Sequence, residues 1–117
     1  MRSIGYKSER YAELWLLLRG YKPIARNFTV KGGEIDLVMK KGGDLVFVEV
    51  KARRKGSMVS GLEAIDRDKE RHLRYAATRF IKSCDKKYKS LQPRFDVLCV
   101  TIGKIGFRVT EHIENAF

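Results

Sequence analysis

Apolar positions recur at helical spacing from Tyr6 to Arg19, with Tyr11, Leu14, Trp15 and Leu18 forming a stripe and Gly20 placed as a C-terminal stop. Three extended segments follow: Ile24 to Thr29, then Glu34 to Lys40 after the Gly32-Gly33 break, then Leu45 to Ala52. Lys41-Gly42-Gly43-Asp44 turns between the last two. A loop containing Gly56 and Gly61 leads to a second helix from Asp66 to Ser83, whose buried stripe is Leu73, Ala76, Ala77, Phe80 and Ile81. Gln92-Pro93 opens a fourth strand, Arg94 to Ile102, and Gly103 and Gly106 bracket the turn into a fifth, Phe107 to Ile113. Helix, three strands, helix, two strands describes an α/β fold with a mixed, mostly antiparallel central sheet flanked by helices. With no repeat or linker visible, residues 1–117 are expected to form a single domain.

The register of the second and third strands carries the chemistry. A turn centred on Gly42-Gly43 sets Ile35 opposite Val50, Leu37 opposite Val48 and Met39 opposite Val46, an apolar face that must pack on the core. The other face sets Val38 opposite Phe47, Asp36 opposite Glu49, and Glu34 opposite Lys51. Two carboxylates directly across a ladder, with Cβ atoms roughly 5 Å apart, destabilise a sheet unless something neutralises them. A divalent cation, Mg²⁺ or Mn²⁺, suits such an oxygen-donor pair. Lys51 lies about 7 Å along the strand from Glu49 on the same face. There it could orient an attacking water or offset charge on a phosphate, although an ion pair with Glu34 competes for it.

Charge narrows the partners. The chain has 25 Lys and Arg against 14 Asp and Glu, a net charge of +11, and favours a polyanion, with nucleic acid ahead of a membrane surface. Basic residues continue out of the hairpin through Arg53, Arg54 and Lys55, and Arg67, Arg71, Arg74, Arg79 and Lys82 line the outer side of the second helix. Lys69 differs, being four residues before Leu73 and aligned with the buried stripe, so it could reach the site and bind a phosphate. Arg53, Arg54, Lys55, Lys69, Arg71 and Arg74 are therefore the candidate contacts to nucleic acid.

Other chemistries find no support. Cys84 and Cys99 are far apart, in no metal-binding or redox spacing, and are expected to be buried, reduced thiols. Neither His72 nor His112 has a second histidine at ligand spacing, and no nucleophilic Ser, Cys or His arrangement is evident. The apolar run Leu14 to Leu18 is too short to cross a bilayer and the acids before it do not suit a signal peptide. A cytoplasmic location without membrane association is expected.

Gly33-Glu34-Ile35-Asp36 followed by Phe47-Val48-Glu49-Val50-Lys51 resembles the core of the PD-(D/E)XK nuclease superfamily, an acid on one strand and Glu-x-Lys on the next. The proline that often precedes the first acid there is Ile35 here. More closely, the chain is similar to the bacterial YraN-like family through Gly5 to Ala12, Gly20-Tyr21, Arg26-Asn27, Phe47 to Arg53, Lys69, Arg94-Phe95-Asp96 and Asn115-Ala116-Phe117. The resemblance implies a restriction-endonuclease-like αβββαβ core, metal ligation by Asp36 and Glu49, and a catalytic role for Lys51. It also implies that Glu9, on the first helix, is the extra acid that related nucleases place beside the metal. Glu9 shares a helical stripe with Ala12 and Leu16, so it borders the buried face.

The expected activity is metal-dependent hydrolysis of phosphodiester bonds in DNA, with branched or junction DNA as candidate substrates. A non-catalytic nucleic-acid-binding module on the same fold is the alternative. Because cutting two strands commonly takes two sites, a homodimer is the expected assembly.

Overall fold

The structure, a computed structural model, describes residues 4–56 and 66–117. The elements run α1 (Ile4–Leu17), β1 (Lys22–Val30), β2 (Gly33–Lys41), β3 (Asp44–Arg54), α2 (Arg67–Ser83), a short 3-10 turn (Lys86–Tyr88), β4 (Gln92–Gly103) and β5 (Gly106–Ile113). Gly61, assigned from the sequence to the loop before α2, lies outside the described residues. The strands form a five-stranded sheet in chain order, β1-β2-β3-β4-β5. Every neighbouring pair is antiparallel except β3 and β4. Parallel neighbours need a long crossover, and α2 lies in that connection.

Both sheet faces are covered, which explains the near-continuous apolar runs of β2 and β3. On one face α1 packs Ala12 and Leu16 against Leu37, Met39, Val46, Val48, Leu98 and Val100. On the other α2 packs Leu73, Ala76, Ala77 and Phe80 against Ile35, Val38, Leu45 and Phe47, the stripe expected from its sequence. Asp66 caps α2, its Oδ1 accepting the Lys69 N–H at 2.8 Å, and Asp68 and Glu70 in the first turn suit the helix dipole. Gly33 lets α2 approach closely: a Cβ there would stand 2.4 Å from the His72 carbonyl oxygen.

The stripe expected for α1 is displaced. Leu14 and Leu18 are 53% and 76% exposed, whereas Ser8, Ala12, Glu13 and Leu16 are buried, with Tyr11 and Trp15 half-buried. Tyr11 and Trp15 of the expected stripe pack on the core, but Leu14 and Leu18 do not, because the inner face is half polar. Glu13 is held there by Arg26 at 2.9 Å, and burial of Leu16 contributes about 2 kcal/mol.

The hairpin register also departs from expectation. Leu37–Val48, Val38–Phe47 and Met39–Val46 pair as the turn dictates, but pairing stops there. Ile35–Val50, Asp36–Glu49 and Glu34–Lys51 are not ladder partners, because β2 and β3 separate beyond Leu37 and Val48. Ile35 packs with Val38 and Phe47 under α2, not with Leu37 and Met39. Strict alternation fails at Asp36, which also leaves the β1 ladder opposite Asn27, a non-glycine residue at φ 49°.

Candidate functional site

The carboxylates sit where β2 and β3 part. Asp36 turns its side chain into the opening, and its Oδ2 accepts the Val50 N–H at 2.8 Å. That N–H would otherwise have faced the β2 backbone and gone unpaired. Glu49, one residue earlier on β3, lies within hydrogen-bonding reach of Asp36. Both residues are buried. Burial first, then the Glu49 charge, pushes the Asp36 carboxyl up from its ordinary value to about 7, against the Val50 N–H that favours ionisation.

Because the strands have parted, groups from both helical layers enter. Lys69, positioned by the α2 cap, brings its Nζ to 3.5 Å from Glu49 Oε2. Glu9, from α1 on the opposite layer, comes within reach of Asp36. The Asn27 side-chain amide donates to Glu9 Oε1 at 2.7 Å. Burial raises the Glu9 carboxyl, as does the Asp36 charge, while Asn27 works the other way. The cluster thus joins Glu9, Asp36 and Glu49, with Lys69 the ammonium that salt-bridges it. Lys51 is half-buried two residues beyond Glu49 on β3 and beside Cys99 of β4. These hard oxygen donors fit a divalent cation such as Mg²⁺ or Mn²⁺.

The expected nucleic-acid contacts divide. Arg54 and Lys55 are exposed and, with Lys104 of the β4–β5 turn, Ile102 and Gly103, line an open groove of about 500 Å³. Arg53 pairs with Glu111 at 3.4 Å. Arg71 is bound to Asp68, and Arg74 to Glu70 at 3.0 Å while lying over Phe95 and Phe117. These arginines are tethered by neighbouring carboxylates.

A second polar network escaped the sequence reading. Arg94 pairs with Asp96 at 2.8 Å, Asp44 at 3.0 Å and Glu114 at 3.5 Å, and donates to the Tyr21 hydroxyl at 2.7 Å. His112 Nε2 meets Asp96 Oδ2 at 2.8 Å. Burial alone would raise the Asp96 carboxyl, but His112, Arg94 and the Asn115 N–H hold it below the usual range. Although Asp96, His112 and Glu114 converge as ligands might, Arg94 already supplies the compensating charge. The network ties the start of β4 and the end of β5 to the start of β3 and to Tyr21, just before β1. The signal for it was Arg94-x-Asp96, whose side chains share one face of a strand. Cys84 and Cys99 are both free thiols, and burial pushes Cys99 up to about 11, so it is a poor nucleophile. Among the described residues no helix is long and apolar enough to cross a membrane.

Fold and site together define a mixed α/β protein in which carboxylates from a helix and two diverging strands meet Lys69 at the opening of a sheet. The chain belongs to the YraN-like family described as "Uncharacterised protein family UPF0102", which it matches over residues 8–100. It is 41% identical over 113 residues to a UPF0102 protein of Saccharophagus degradans, covering 97% of this chain and 91% of the relative. A UPF0102 protein of Caldanaerobacter subterraneus is 36% identical over 118 residues, covering 99% and 95%. One of Syntrophomonas wolfei is 37% identical over 116 residues, covering 99% and 98%.

Proposed function

We propose that this protein is a metal-dependent nuclease that hydrolyses phosphodiester bonds of DNA, built on a restriction-endonuclease-like PD-(D/E)XK core. The observation that carries the reading is the meeting of buried Asp36 and Glu49 where β2 and β3 part, with Lys69 3.5 Å from Glu49. A structural ion pair would not need two carboxylates in contact. Asp36 and Glu49 would hold Mg²⁺ or Mn²⁺, with Glu9 beside them. A cation there supplies a coordinated water of lowered pKa and positive charge against the phosphate.

The chain's own groups do the rest. Lys51 directs its ammonium at the attacking water or at a non-bridging oxygen, where charge grows in the transition state. Lys69 holds Glu49 and offers a second cation to the phosphate. Asn27 orients Glu9 by its 2.7 Å bond. Water oxygen bonds to phosphorus as its proton passes to solvent, the P–O ester bond breaks, and the departing oxygen takes up a proton from solvent. Arg54, Lys55 and Lys104 take the flanking backbone. Branched or junction DNA is the substrate class to try first.

The test is cleavage of branched, duplex and single-stranded DNA and RNA in Mg²⁺. Nicking of at least one substrate is expected, lost in Asp36→Ala and in Glu49→Ala with the fold intact. No cleavage of any substrate, with no Mn²⁺ bound by calorimetry, would overturn the reading.

A further inference from the structure

A groove of about 540 Å³ runs between the sheet edge and α2, lined by Phe28 and Val30 of β1 and by Tyr75, Arg79, Lys82 and Ser83 of α2. Its lining holds two cations and no acid. Tyr75 is 45% exposed. The ring is fixed in place. A Cβ on Gly32 would stand in ordinary contact, 3.6 Å from its Cε2, while Arg79 Nη1 donates to its hydroxyl at 3.1 Å and the Arg79 guanidinium lies 6.0 Å from the ring centroid. Gly32 adopts φ +97°, so this turn favours glycine. Phe28 beneath it is braced edge-on against Phe80 at 5.1 Å between centroids.

An exposed aromatic face with flanking cations matches what single-stranded nucleic acid requires: a platform on which any base can stack, and charge for its phosphates. A duplex hides its base faces and gains nothing from Tyr75. Helical rise places Tyr75 about 9 Å and Lys82 about 20 Å beyond Lys69.

We infer that the groove of Phe28, Tyr75, Arg79 and Lys82 is a binding subsite for an unpaired strand, which stacks a base on Tyr75 and leads the chain toward the carboxylates. The subsite rests on the reading of this protein as one that acts on nucleic acid, and it makes single-stranded or flapped regions the preferred flank. It does not depend on hydrolysis.

The test is fluorescence anisotropy in EDTA with a labelled twelve-nucleotide single strand and the matching duplex. Tyr75→Ala should weaken single-strand binding by about 5- to 100-fold, the range for loss of one stacked base, with duplex binding changed less than twofold. Tyr75→Phe should bind as the wild type, and Arg79→Ala should weaken binding and lower its salt dependence. Unchanged single-strand affinity in Tyr75→Ala, or equal losses for strand and duplex, would overturn the subsite. So would loss of self-association in Tyr75→Ala by sedimentation with DNA binding intact, which would assign the groove to a second copy. Selective loss of single-strand binding in a protein that cleaves nothing would leave the subsite standing and remove only the hydrolase reading. No binding of either DNA would remove the subsite.

Discussion

Asp36 Oδ2 accepts the Val50 N–H at 2.8 Å, so a side chain of β2 takes a hydrogen bond that the β2 backbone no longer reaches. This contact lets the two strands separate without orphaning a buried donor. It also keeps Asp36 buried and close to the Glu49 charge, and both raise its carboxyl. Asp36→Asn should separate the two roles, since an amide oxygen can still accept from Val50 while the charge is gone. The folded Asp36 carboxyl titrates near 7 against an ordinary value of 3.8. A raised folded pKa means stability that is fully present below the unfolded value and is lost as pH rises through the folded one. Without divalent cations the wild type should therefore lose stability between about pH 4 and pH 7, on the order of 4 kcal/mol at most. Asp36→Asn should lack that slope and be the more stable protein at pH 8, as urea unfolding in EDTA at pH 5 and pH 8 would measure. Mg²⁺ should raise the melting temperature of the wild type and leave that of the variant unmoved.

The two lysines should separate in kinetics. Lys51→Ala is expected to lower the cleavage rate by about 10²- to 10³-fold, the loss typical of removing one transition-state donor, with Mn²⁺ affinity little changed. Lys69→Ala removes the group that holds Glu49, with a loss of roughly 10- to 100-fold and altered metal affinity. Half-exposure of Lys69 keeps its effect on stability small. Single-turnover rates and calorimetry on both variants check this; equal effects on metal affinity would contradict the division of roles.

The Arg94–Asp96–His112 network should govern acid stability. Asp96 is held below its usual range, so its contribution is present above the unfolded value and is lost as pH falls through the folded one. Thermal melts from pH 3 to pH 7 should show Asp96→Asn less stable at neutrality and flatter than the wild type below pH 4. Arg94→Met leaves a buried Asp96 with only His112 and the Asn115 N–H as partners, and should cost about 3–5 kcal/mol at pH 7.

The elements, the Gly42-Gly43 turn, the α2 stripe and the approach of Lys69 to the hairpin were legible because each follows from local periodicity or from a count along one helix. The separation of β2 and β3 was not. Nothing in the alternation of Ile35, Leu37 and Met39 signals that Ile35 changes side, because the break comes from an unpaired Asp36 facing Asn27 at φ 49°. That same break admits Glu9 and Lys69 from opposite layers. The inner face of α1 is only partly legible for a related reason: Ser8 and Glu13 are buried as polar residues, and a hydrophobic stripe cannot register them. Long-range partners such as Arg26 for Glu13, or Arg94 for Asp44, are fixed only by the sheet.

Gly33→Ala tests how tightly the helix is coupled to the site. A Cβ at Gly33 would meet the His72 carbonyl oxygen at 2.4 Å and the Ala76 Cβ at 3.1 Å. The first contact is with backbone, so no rotamer relieves it and α2 must lift from β2. Overpacking of this kind costs about 1–3 kcal/mol. Lys69 lies three residues, less than one turn, before His72, and lifting the helix there withdraws its ammonium from Glu49. The cleavage rate at full occupancy of the folded state should therefore fall as it does in Lys69→Ala, although residue 33 bears no functional group. Gly43→Ala is the matched control: nothing lies within 4 Å of its Cβ position and its φ is not left-handed, so stability and rate should both stay near wild type. Urea unfolding and single-turnover cleavage on the pair decide the matter. A Gly33→Ala protein as stable and as fast as Gly43→Ala would show that α2 does not hold Lys69 in place through this contact.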